Sequence, residues 1–226
     1  MLYYILKNFF LGPYVRSTFR PWVSGAENVP ASGPVILASN HVSVLDSLFL
    51  PLALKRRVTF LAKSDYFTGR GVKGFVLRNF MNGIGQLSID RSGGKASEAS
   101  LNTGVQVLRG GGVLGIYPEG TRSPTGKLYR GRTGVARMIL EAKVAVVPVA
   151  MFDTDKSMPI GAKIPKVRRI GIVIGEPLDF SRFEGLEGDR FVLRSITDEI
   201  MVEIARLSGQ EYVDVYASTV RRAVAA

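Results

Sequence analysis

Pro34-Val35-Ile36-Leu37-Ala38-Ser39-Asn40-His41-Val42-Ser43-Val44-Leu45-Asp46 decides how the chain is read. Its first five residues are an apolar run of buried-strand length. Just downstream, Leu48-Phe49-Leu50-Pro51-Leu52 reads as a short buried helix stopped near a proline. A strand ends, a polar elbow follows and a helix begins. His41 is the only histidine of the chain, and cysteine is absent. Imidazole chemistry near neutral pH therefore has to use His41. On one continuous helix, the spacing from His41 to Asp46 is a rotation of about 140°, and the two would not share a face. With His41 in the elbow and the helix starting near Ser43, Asp46 falls in the first turn, where its carboxylate can turn back to the imidazole. A carboxylate on one ring nitrogen fixes the tautomer and frees the other nitrogen as a base. Ser43 and Asp46 also fit a capping-box variant, which asks nothing catalytic of either.

Outward from the elbow the apolar runs recur. Residues 57–62, 84–89, 112–117, 144–151 and 169–175 read as strands. Residues 95–108, 134–143 and 189–207 carry helical periodicity, and the tail from Gln210 is expected to be helical as well. Strands alternating with helices predict an α/β domain around a largely parallel mixed central sheet flanked by helices. Sites in such sheets form at the carboxyl ends of strands. Three polar loops leave strand ends, at 39–46, 90–94 and 118–132, and are expected to cluster at one edge.

Composition narrows the chemistry. The 226 residues, 46% hydrophobic, suffice for one substantial core. Without cysteine there is no disulfide framework or thiolate metal site, and a single histidine excludes a histidine-rich zinc site. The net charge of +11 suits an anionic partner: nucleic acid, an anionic bilayer or a phosphorylated substrate. Residues 1–22 alternate short aromatic runs with Lys7, Arg16 and Arg20. The runs fall short of the ~20 residues that cross a bilayer, and no signal-peptide cleavage pattern follows them. The segment reads as an amphipathic helix lying in the membrane interface, bent at Gly12-Pro13, ahead of a catalytic domain over 23–226. A helix packed on the protein core is the competing reading.

The strand at 112–117 runs into Tyr117-Pro118-Glu119-Gly120-Thr121-Arg122-Ser123. An arginine just past a strand end presents a permanently charged planar fork suited to phosphate. Gly120 allows close backbone approach, Thr121 and Ser123 add hydroxyls, and Glu119 can hold a cation in position. Arg91, leaving another strand end, offers a second anion contact. Each also fits a solvated surface loop. Other signatures fail. Gly110-Gly111-Gly112-Val113-Leu114-Gly115 precedes a strand instead of following one, and neither G-x-x-x-x-G-K-[ST] nor G-x-S-x-G occurs. Asp153-Thr154-Asp155-Lys156-Ser157 has the D-x-D-x-[ST] form of haloacid-dehalogenase-type phosphatases, but that family places it near the start of its domain.

Asn40-His41-Val42-Ser43-Val44-Leu45-Asp46 resembles the N-H-x-x-x-x-D motif of glycerolipid acyltransferases, and Glu119-Gly120-Thr121-Arg122 resembles their E-G-T-R block. Residues 85–91 resemble the block between, and Val147-Pro148-Val149 the late proline-bearing strand. Order and spacing match over about residues 22–180, most closely in the manner of bacterial, actinobacterial-type 1-acylglycerol-3-phosphate acyltransferases. Many members carry Lys-Arg where this chain has Asp90-Arg91, which removes one phosphate contact that Lys63 could replace. The resemblance implies acyl transfer from acyl-CoA or acyl carrier protein to a hydroxyl of lysophosphatidic acid, with glycerol 3-phosphate or another lysophospholipid as alternative acceptor. His41 would be the base, Asp46 its orienting carboxylate, and Arg91, Glu119, Gly120, Thr121 and Arg122 the phosphate site. It implies no cofactor, no metal and no nucleic acid, and a peripheral or monotopic place on the cytoplasmic face of the membrane. A basic nucleic-acid-binding α/β protein is the remote alternative.

Overall fold

Strand β2, Val35–Ser39, is buried along its whole length, and the sheet extends from both of its edges. β5 (Val113–Ile116) and β7 (Val146–Phe152) flank it in parallel. Beyond β5 lie β3 (Val58–Lys63) and β4 (Gln86–Ile89), again parallel. Beyond β7 lies β8 (Gly171–Ile174), antiparallel to it, and at the edge β1 (Trp22–Ser24), parallel to β8. The seven-stranded order is β1-β8-β7-β2-β5-β3-β4, the mixed, largely parallel sheet expected. The computed structural model describes residues 2–64, 67–83, 85–89 and 95–225.

Alternation along β2 sends Ile36 and Ala38 to one face of the sheet and Val35 and Leu37 to the other. The first face is covered by α5 (Lys95–Arg109), α6 (Gly134–Ala142) and α8 (Arg190–Ser208), whose Val105, Leu108, Ile139, Ile196 and Ile200 complete a continuous core. The second face is covered by α3 (Asp46–Ala53) and the N-terminal helices. Burial on both faces is why the central strands are uninterrupted apolar runs. Asp189 caps α8 by accepting from the backbone N–H groups of Phe191 and Val192.

The N-terminal segment is α1 (Leu2–Ile5), a π turn (Leu6–Leu11) and α2 (Gly12–Phe19). Pro13 has no N–H and its ring would clash with the carbonyl four residues back, so a widened turn at this point is the physical solution. Val15 and Phe19 of α2 pack into the core, while Tyr4, Phe9, Phe10 and Tyr14 face outward. Lys7 departs from expectation. It is buried, and its ammonium donates to the carbonyls of Pro51 and Leu54 at the end of α3. A cation on those unpaired carbonyls and on the negative end of the helix dipole is a C-terminal cap. Burial pulls its pKa down to about 8.

Two further elements differ from the sequence reading. Trp22 is not the end of the N-terminal helix. It opens β1, a strand of three exposed residues with no apolar run to announce it, and its ring stacks on Phe152 at 5.8 Å. The tail from Gln210 first forms β9 (Tyr212–Val213), which pairs with β6 (Leu128–Tyr129) inside the long polar loop, before α9 (Ala217–Ala225). No helix among the described residues is long and apolar enough to cross a membrane.

Candidate active site

The carboxyl ends of β2, β5 and β7 open side by side and supply the site. β2 ends in Asn40 and His41, β5 in Tyr117 to Glu119, and β7 in Asp153 and the short helix α7 (Thr154–Ser157). Asn40 is buried and sews the elbow to β7: its side-chain oxygen accepts from Met151 N at 2.8 Å and its amide donates to Met151 O at 3.1 Å. That amide also reaches Gln210 Oε1 at 2.7 Å.

His41 Nδ1 lies 2.9 Å from Asp46 Oδ2. The same oxygen accepts from the backbone N–H of Val42 and of Ser43, each at 2.9 Å. Its other oxygen accepts from the Thr154 hydroxyl. The carboxylate is fully buried and saturated with donors, so its orientation is fixed. As an acceptor it requires the proton on Nδ1, which leaves Nε2 as the basic nitrogen. Among the described residues Nε2 has no protein partner. The helix α3 starts at Asp46 itself, later than the expected Ser43, and Ser43 is not its N-cap. The Ser43 hydroxyl donates to Met158 O at 2.9 Å, tying the elbow to the turn after β7. The acidic half of the capping-box reading survives, since Asp46 reaches back to Ser43 N while also holding the imidazole.

The imidazole stacks on Tyr117, with centroids 3.8 Å apart and planes 9° from parallel. Tyr117 in turn stacks on Phe60 and shares a 2.8 Å hydrogen bond with the Ser47 hydroxyl. Gly115 makes room for this column: a Cβ there would sit 2.4 Å from the Phe60 ring. The stack fixes the plane of the imidazole against the tyrosine face.

The loop after β5 clasps the histidine by its backbone. Glu119 Oε1 accepts from His41 N at 3.2 Å, and Ser123 N donates to His41 O at 2.7 Å. The second Glu119 oxygen accepts from Tyr129 N at 2.9 Å. Glu119 is therefore turned inward to two amides, not outward toward a phosphate or Arg122. Burial pushes its pKa up to about 7, against the pull of those two N–H groups. Gly120 adopts φ +74°, and a Cβ there would press on the Arg132 side chain at 3.0 Å. Thr121 accepts from Arg221 of α9 at 3.1 Å. Arg122 is half-buried and has no hydrogen-bond or ion-pair partner among the described residues. The structure thus brings together His41, Asp46, Glu119, Gly120, Thr121 and Arg122. Arg91 and the loop at 90–94 lie outside the described residues, as does the side chain of Lys63.

Thr154 and Tyr117 were not singled out in the sequence, although each stands at the carboxyl end of a strand. Within the Asp153–Ser157 stretch, Thr154 holds the histidine's carboxylate, while Asp153 pairs with Lys156 and Ser157 donates to Lys166 O.

The sequence pattern of the acyltransferase family matches residues 20–152, which carry both the His41–Asp46 elbow and the Glu119–Arg122 loop. The chain belongs to the acyltransferase family. Its relatives in that family include a chloroplastic 1-acyl-sn-glycerol-3-phosphate acyltransferase of Arabidopsis thaliana, 29% identical over 166 residues, 73% of this chain and 45% of that protein. The Bacillus subtilis 1-acyl-sn-glycerol-3-phosphate acyltransferase is 28% identical over 166 residues, again 73% of this chain and 76% of the relative. The chain spans about half the length of several curated relatives it matches. The acyltransferase fold is shared with the crystal structure of the 1-acyl-sn-glycerophosphate (LPA) acyltransferase PlsC from Thermotoga maritima. That similarity has a TM-score of 0.62 at 24% identity and covers 90% of this chain and 80% of the other.

Proposed function

We propose that the chain transfers a fatty acyl group from acyl-CoA or acyl carrier protein to a hydroxyl of lysophosphatidic acid, giving phosphatidic acid. The observation that carries this reading is the 2.9 Å contact between His41 Nδ1 and Asp46 Oδ2, which leaves Nε2 free beside an arginine-bearing loop. Family membership and the names of the relatives support the same chemistry.

In this reading Nε2 takes the proton from the acceptor hydroxyl as its oxygen attacks the thioester carbonyl. The buried Asp46 carboxylate stabilises the imidazolium formed in this step, and the Tyr117 stack keeps the ring in place. Collapse of the tetrahedral intermediate breaks the C–S bond, and the imidazolium returns its proton to the departing thiolate. The acyl group passes directly from donor to acceptor, with no acyl-enzyme. Arg122 holds the acceptor's phosphate, with Gly120 and Thr121 shaping the turn beneath it and Arg91 as a second contact. Glu119 positions the His41 backbone. Residues 1–22 carry the membrane-interface segment and 23–226 the catalytic domain, and the protein sits peripherally on the cytoplasmic face of the membrane.

The test is an assay of the purified protein with lysophosphatidic acid, glycerol 3-phosphate and other lysophospholipids, each with acyl-CoA and acyl carrier protein donors, read by mass spectrometry. Phosphatidic acid should be the main product. Preferential acylation of glycerol 3-phosphate would move the acceptor assignment, and transfer to none of them would end the reading.

A further inference from the structure

Three arginines meet at one turn, two of them reaching it from elsewhere in the chain. Arg122 belongs to the turn itself. Arg132 lies against Gly120, close enough that a Cβ there would meet its Cδ and Nε at 3.0 Å. Arg221 arrives from α9, far along the chain, and donates to the Thr121 hydroxyl at 3.1 Å. α9 is held in place at the turn. Arg132 donates to Ser218 at 3.1 Å and lies over the Tyr216 ring at 5.1 Å, with Arg130 over the same ring at 5.7 Å. Gln210, which begins this tail, bonds both Asn40 beside the histidine and the carbonyl of Gly126 in the loop.

The charge balance is uneven. Arg130 has Asp214 at 3.5 Å, and Lys127 has Glu211 at 2.7 Å. Arg122, Arg132 and Arg221 have no carboxylate partner among the described residues. Arg132 and Arg221 touch only neutral groups, two hydroxyls and an aromatic face. Like charges gathered on one turn repel, and a cluster of this kind is relieved by an anion. A phosphomonoester carries up to two charges and three oxygens, and guanidinium forks match it. The turn also binds both backbone groups of His41, so an anion held there stands next to the base.

We infer that Arg221 of the C-terminal helix completes the phosphate site, closing over the Gly120–Arg122 turn with Arg132 so that the acceptor's phosphomonoester is held by three guanidiniums. The inference rests on the acyl-transfer reading above. It assigns a substrate contact to a helix that lies beyond the part of the chain matched by the family pattern.

The test uses the full chain, with Arg221→Ala and Arg221→Gln compared with wild type and with Arg122→Ala. Arg221 is exposed, so both variants should fold, and thermal denaturation checks this. Each should raise KM for lysophosphatidic acid about tenfold, with kcat and the acyl-CoA KM within about twofold, as expected for loss of uniform binding. Combined with Arg122→Ala, the effect should be less than the product of the single effects, because both act on one anion. Calorimetry with glycerol 3-phosphate and with inorganic phosphate supplies a readout free of turnover. Binding that weakens in Arg221→Ala, in a wild type that acylates nothing, would keep the phosphate site and discard the acyltransferase reading. A raised acyl-CoA KM would assign the cluster to the donor's phosphates and overturn the inference. So would an unchanged acceptor KM in a folded variant, which would make Arg221 a brace for Thr121.

Discussion

Asp46 and Glu119 are both buried carboxylates bound by backbone amides, yet they do different work. Asp46 spends one oxygen on the imidazole and two amides and the other on Thr154. His41→Ala should lower kcat by about 10² to 10⁴ while the fold is kept, and Asp46→Asn should also be severely impaired with acceptor KM little changed. Turnover near wild type in purified His41→Ala would sink the mechanism. Thr154→Val keeps volume but removes a donor from a buried carboxylate, which costs about 1–3 kcal/mol by urea denaturation. Glu119 gives a pH signature. Its folded pKa of about 7 lies above the ordinary 4.5, so the folded state holds a proton that the unfolded chain has released. Its stability contribution is full below about 4.5 and is lost as pH rises to about 7, a change on the order of 3 kcal/mol. Glu119→Gln should flatten that slope in denaturation curves at pH 5 and 7.5; an unchanged slope assigns it to another group. The lone histidine and the acid five positions on were legible because both lie in one short elbow. Thr154 was not, because it meets Asp46 only through pairing of β2 with β7, across more than a hundred residues.

At the scale of elements, the central strands were legible because burial on both faces writes them as continuous apolar runs. β1, β6 and β9 were not. They are two or three residues long, lack hydrophobic periodicity, and exist because a partner strand is already in place. Lys7 shows the same limit. From the sequence it is a cation among aromatics, suited to headgroups, whereas the fold puts the end of α3 beside it and turns it into a cap. Lys7→Met should leave the Pro51 and Leu54 carbonyls unpaired and cost about 1–3 kcal/mol in thermal or urea unfolding. A pure headgroup contact would instead leave stability in solution unchanged and reduce vesicle binding.

The whole molecule has an uneven exterior. Phe9, Phe10 and Tyr14 are 60–75% exposed on the N-terminal helices, which cover the same sheet face as α3. β2 to β3 and β3 to β4 cross the sheet in the same direction, so right-handed connections put α4 (Gly71–Gly83) on that face too. α4 exposes Val72, Phe75, Val76 and Phe80. Exposed aromatics on one side of a chain with net charge +11 fit an anionic bilayer, since a duplex offers charge but no apolar phase. Anionic liposomes should therefore sediment the protein at physiological salt, and duplex DNA should bind less. Salt should weaken the attachment without abolishing it, because ring burial is insensitive to screening. Phe9→Ala with Phe10→Ala should weaken partitioning about tenfold or more, given roughly 1.5–3 kcal/mol for a fully buried ring. Arg16 and Arg20 are exposed beside those rings, and a spanning geometry would cost roughly 2.5–3.5 kcal/mol for each cation drawn to mid-bilayer. Single cysteines at positions 8 and 24, in a chain with none of its own, should both react with an impermeant reagent from the same side of a sealed vesicle. Reaction from opposite sides would mean that the segment spans, and the interfacial geometry would have to be abandoned.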